Sequence, residues 1–154
     1  MSRPARIVAP LLVSVALGLT ACGYSGSHAS QVRQWAQQNS YNENARQVVN
    51  DADHALLAAA HGTALELRTV CGGLSSDAGT LYSTLDTPDH ALTNQVAASM
   101  QDFFDAAEKC AVTHSTTSAR ASEAVAQMRK GLAELAKADA TFRRFGVHAP
   151  TVSS

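Results

Sequence analysis

The stretch SYNENARQVVNDADHALLAAAHGTALE, residues 40–66, decides how this chain is read. Tyr41, Ala45, Val48, Ala52, Leu56 and Ala59 recur at steps of four and three, which places them on one face of a helix. Gly62 follows as a C-terminal cap. Thr63-Ala64-Leu65-Glu66 then starts another helix as a capping box, in which the threonine hydroxyl takes the N3 amide and the glutamate returns to the N-cap amide. Ser40-Tyr41-Asn42-Glu43 has the same form at the start of the first helix. Each such helix has one apolar stripe, and the stripe is buried only against other helices.

Moving outward, Leu67, Cys71, Leu74, Ala78, Leu81 and Leu85 continue the helical spacing, with Gly72, Gly73 and Gly79 each weakening that helix by up to about 1 kcal/mol. Thr87-Pro88-Asp89 reads as a third start, with Thr87 as N-cap and proline at N1, and Leu92, Val96, Met100, Phe103, Ala107 and Cys110 form its inner face. Thr113 to Ser118 reads as a loop. A last helix shows Ala121, Val125, Met128, Leu132, Leu135 and Phe142, with Arg143 and Arg144 in its final turn and Gly146 and Pro150 as stop signals. A shorter helical turn around Val32 and Trp35 precedes the first main helix.

The expected fold is therefore all-α, an up-and-down bundle of about four helices spanning residues 30–146, with a disordered tail at 147–154. Composition agrees: apolar residues make up 45% and aromatics only 5%, so the core material is mainly Ala, Leu and Val and the helices should pack closely. Net charge is -1, which disfavours a nucleic-acid partner.

The first 22 residues read as an address. Arg3 and Arg6 form a basic n-region, and Ile7 to Ala21 is an uncharged apolar span of about 15 residues, shorter than the roughly 20 needed to cross a bilayer as a helix. Leu19-Thr20-Ala21-Cys22 resembles the lipobox of bacterial lipoproteins. The resemblance implies a signal peptide over residues 1–21, cleavage before Cys22, a diacylglyceryl group on the Cys22 sulfur, and anchoring on the extracytoplasmic face of the cell membrane. Two acyl chains are the physical minimum for stable anchoring, since one chain holds only marginally. An ordinary secretory signal with an incidental cysteine is the alternative. Residues 22–29, rich in Gly and Ser, would be a flexible tether. The segment Leu67 to Asn94 is also similar to small lipoproteins of high-GC Gram-positive bacteria, a likeness that implies no activity.

Three cysteines, one of them consumed by lipid, leave Cys71 and Cys110 to form a disulfide in an exported protein. In a straight hairpin turning near Asp86, Cys71 would lie beside Asp102, about eight residues or 12 Å short of Cys110. The bridge therefore requires the Cys71 helix to stop or loosen between Gly79 and Thr87, with Ser83 to Thr87 extended.

Signals for chemistry are weak. Asp51, His54 and His61 share a helix face, a pattern more usual for solvated surface than for a metal site; Asp102, Asp105 and Glu108 form an acidic line beside Lys109, again read as surface. Asp139 falls in the last helix's stripe and reads first as a bundle-edge residue, otherwise as an arginine's partner or part of a polar pocket. Met100, Met128, Phe103, Phe104 and Phe142 read as core before they read as a cavity lining. Trp35 fits core packing, partner contact or a membrane interface equally. No catalytic motif is present, and neither metal nor cofactor is expected. The leading functional expectation is a non-enzymatic envelope lipoprotein that meets another envelope protein. The alternative is a module that holds a lipid or other apolar ligand between its helices, and an envelope hydrolase or metal enzyme comes third.

Overall fold

Five α-helices and no strand make up residues 26–148, the part of the chain that the computed structural model describes. They are α1 His28–Gln38, α2 Tyr41–His61, α3 Ala64–Ser83, α4 His90–Ala111 and α5 Ala119–Arg144. The leader, Cys22 and Thr151 to Ser154 lie outside the described residues.

Helices α2 to α5 pack in a ring, each against its neighbours, with α2 closing back on α5. Side-chain pairs show that neighbours run antiparallel. Ser99 Oγ donates to the Gly131 carbonyl at 2.8 Å, while the Thr141 hydroxyl lies 3.3 Å from Gln95 Oε1, so α5 descends as α4 rises. The fifth helix is α1, which lies across one end of the ring. Its buried Trp35 stacks on Phe142 at 5.9 Å and Arg33 donates to the Phe145 carbonyl at 3.0 Å. The short helical turn expected near Trp35 is thus a full helix. It begins at His28, two residues before the boundary the sequence suggested, and Val147, just past the expected end, is buried.

Every expected core position on α3 and α4 is buried; Leu85, just past the end of α3, is half-buried. On α2 and α5 the stripes hold from Tyr41 to Ala52 and at Ala121, Met128, Leu132, Leu135 and Phe142, but Leu56, Ala59 and Val125 are only partly covered. Close packing concentrates on α4 and α5. A β-carbon on Gly131 would stand 2.9 Å from the Phe103 ring, so the absence of a side chain is what admits that ring.

Cys71 and Cys110 are joined, both buried, with Cα atoms 6.2 Å apart. Helix α3 ends at Ser83, twelve residues past Cys71, whereas α4 starts twenty residues before Cys110. At 1.5 Å per residue α4 therefore begins about 12 Å beyond the end of α3. The offset is taken up by Thr84 to Asp89. Thr84 still caps α3, so the non-helical run starts at Leu85 rather than Ser83.

Three helix ends differ from expectation. Ser40 is left-handed (φ 51°) and makes no side-chain cap bond, because only Asn39 and Ser40 separate α1 from α2 and the chain must reverse there; an N-cap hydroxyl requires extended backbone. Glu43, freed from a capping box, pairs with Arg46 at 2.9 Å. Gly62 ends α2 in extended rather than left-handed backbone. The N-cap of α4 is Asp89, whose side chain accepts from the Leu92 amide, and Pro88 precedes it. Thr87 is buried inside the linker, its hydroxyl 2.8 Å from that of Thr93. The Thr63 to Glu66 capping box is complete.

Candidate functional site

The seam between α2 and α5 is tight at one end and open at the other. Beside α1, Tyr41 packs on Phe142 with ring centroids 4.0 Å apart and its hydroxyl donates to Asp139 Oδ1 at 2.9 Å. Asp139 is 1% exposed and so is not an edge residue. Its Oδ2 has no hydrogen-bond partner, and burial pushes its carboxyl up to about 6, against the pull of Tyr41's hydrogen bond and the Arg143 charge. Burial and the adjoining carboxylate together hold the Tyr41 hydroxyl well above its usual range. Trp35 completes this cluster as a core residue.

Toward the opposite end α2 and α5 part, leaving a groove of about 400 Å³. Leu56 and Ala59 of α2 and Val125 of α5 form its apolar walls, with Thr116, Ser122 and Arg129 at its edges. The three apolar residues are those that helical spacing assigns to the core and that the bundle leaves partly uncovered. No carboxylate lines the groove, and Arg129 makes no hydrogen bond or ion pair among the described residues.

The other candidates resolve differently. His54 and His61 are exposed, whereas Asp51 faces α3: its Oδ2 lies 3.3 Å from where a β-carbon on Gly73 would stand, and the Asp77 carboxyl is its neighbour there. Burial first, then that neighbouring carboxyl, raises Asp51 to about 6, with His54 opposing. Among the described residues no group of three potential ligands is arranged to hold a metal ion. The acidic line also divides. Asp102 is buried and accepts from Gln127 Nε2 and Lys130 Nζ, both at 2.8 Å, whereas Asp105 accepts from Gln101 on its own helix. Met100, Met128, Phe103 and Phe142 are fully buried core, and Phe104 is partly exposed against Tyr82.

Sequence reasoning missed the buried Ser99, Asp102 and Gly131, and the pairing of Asp51 with Asp77. The available signal was position: Ser99, Asp102 and Ala106 flank the inner stripe of α4 at helical spacing, and a glycine beside Leu132 in mid-helix marks a close approach. Comparison with known proteins finds no matching family model, no similar curated protein and no similar solved structure.

Proposed function

We propose that this chain is an exported lipoprotein, held at the extracytoplasmic face of the cell membrane through Cys22, with a non-enzymatic role in which the helical body meets another envelope component. The observation that carries this reading is the buried Cys71–Cys110 disulfide. Such bridges persist in oxidising compartments, which supports export, and this one occupies the two cysteines other than Cys22. No helix among the described residues is long and apolar enough to cross a membrane, so the lipobox cysteine is the anchor the reading relies on.

The chain enters the helical body at α1, on the end where α2 and α4 begin and α5 finishes. A tether of a few residues from Cys22 sets that end against the membrane. The turn at Gly62 and the loop after α4 then point away from it, with Leu57 (58% exposed) and Leu65 (65%) near them, apolar side chains suited to a partner surface.

Cys22→Ala tests the anchor without touching the body. Membrane-extracted wild type should carry acyl mass on an N-terminal cysteine, while the variant accumulates as soluble or uncleaved protein with unchanged helix content. A mature N-terminus elsewhere without lipid mass would defeat the reading. Ligand binding is the second reading, favoured by the groove between α2 and α5.

A further inference from the structure

We infer that the α2–α5 groove takes the acyl chain of a free fatty acid, with Arg129 receiving its carboxylate. This inference deepens the ligand-binding reading and is independent of the anchor at Cys22. Three observations lead to it. First, Leu56, Ala59 and Val125 carry core spacing yet stay partly open, and all three face the same groove. Covering them would remove that apolar surface from water, which favours an apolar occupant. Second, the groove is an open furrow running between two helices, a shape that lets one extended chain lie along it.

Third, the charge is one-sided. Arg129 is the single charged residue lining the groove, and no acidic side chain there competes for it. Its guanidinium presents a planar fork that matches a carboxylate in bidentate fashion. A lone cation suits a singly charged head better than a bulky phosphodiester. Arg129 stands about 10 Å along α5 from Ser122, so a chain starting at Arg129 would pass Val125 and Leu56 toward Ala59.

The test uses envelope extracts of cells producing the affinity-tagged full chain, irradiated with a palmitate probe carrying a photoreactive group in its chain. Crosslinks should map to residues 56–60 and 121–129 and be competed by unlabelled palmitate. Arg129→Gln should weaken capture about fivefold, the worth of one exposed charge pair. Ala126→Trp, at an exposed lining position, should block capture while helix content and melting temperature stay unchanged. The inference is overturned by labelling spread along the chain or confined to the α1 end, or by equal capture in Arg129→Gln. Capture of a neutral monoacylglycerol probe as strong as that of palmitate would overturn it too, and so would preferential capture of a lysophosphatidylglycerol probe.

Discussion

Asp139 shows how far one buried carboxyl governs this protein's response to pH. Its carboxyl is raised to about 6 in the folded chain, against an ordinary value of 3.8. Above pH 6 folding must bury a charge with one oxygen unpaired; below pH 4 the group is protonated in both states and the penalty is gone. Between those values the folded state binds more protons than the unfolded one, so stability falls as pH rises. The full effect is about 3 kcal/mol for two pKa units. Asp51, also raised to about 6, acts in the same direction but is only half-buried and contributes less. Asp139→Asn should therefore stabilise the protein at pH 7.5 by about 1 to 3 kcal/mol and have little effect at pH 3. Urea denaturation at the two pH values measures this, and a variant whose pH profile matches wild type would place the titration elsewhere. Glycines offer a second contrast at this scale. Gly131→Ala drives a methyl group into the Phe103 ring and should cost about 1 to 3 kcal/mol, whereas a methyl on Gly79 meets nothing within 4 Å and Gly79→Ala should stabilise by up to about 1 kcal/mol. Melting curves of the two variants should move in opposite directions.

At the scale of helices, the apolar spacing of four and three was legible because it repeats over many turns, which is why the stripes of α3 and α4 were read almost residue for residue. What spacing does not encode is how much of a stripe its neighbours cover. Leu56, Ala59 and Val125 fit the pattern as well as Val48 or Met128, yet they fall where α2 and α5 part, a property of two helices and not of either sequence. Helix ends were read less well for a related reason. Thr63 and Glu66 act on each other locally and their box formed, while Ser40 and Thr87 sit in linkers whose geometry is dictated by α1 and by the offset of α4. Asp102 and Asp139 were misread because a carboxylate in sequence looks solvated until its partner on another helix is known. The face assignment of α5 can be tested directly. Leu132 is buried and Arg129 is exposed. Leu132→Asp should destabilise by several kcal/mol, having no partner for the charge, and Arg129→Asp should change stability by about 0.5 kcal/mol or less. Equal losses in chemical denaturation would mean that the face is wrongly assigned.

For the whole molecule, the disulfide sets both the register of the bundle and a large share of its stability. It closes a loop with a sequence separation of 39, which holds the last three turns of α3, the linker and nearly all of α4. Restricting a loop of that size in the unfolded chain is worth roughly 4 kcal/mol on the chain-entropy model, a large fraction of the 5–15 kcal/mol typical of a domain. Replacing both cysteines by alanine should lower the unfolding free energy by about that amount, and the loss of packing at two buried positions adds to it. The cross-link acts through the unfolded state, so its removal should also make that state less compact and raise the dependence of stability on urea concentration. All four main helices contribute to one core, from Leu67 on α3 to Phe142 on α5, and the variant should therefore still unfold in a single transition. Urea titrations followed by far-ultraviolet circular dichroism and by the fluorescence of Trp35, which reports on the α1 end far from the bridge, should coincide. If the dichroism change came first, with Trp35 still buried, α3 and α4 would be melting independently of the α1 end. The bridge would then be holding two halves together rather than stabilising one cooperative bundle.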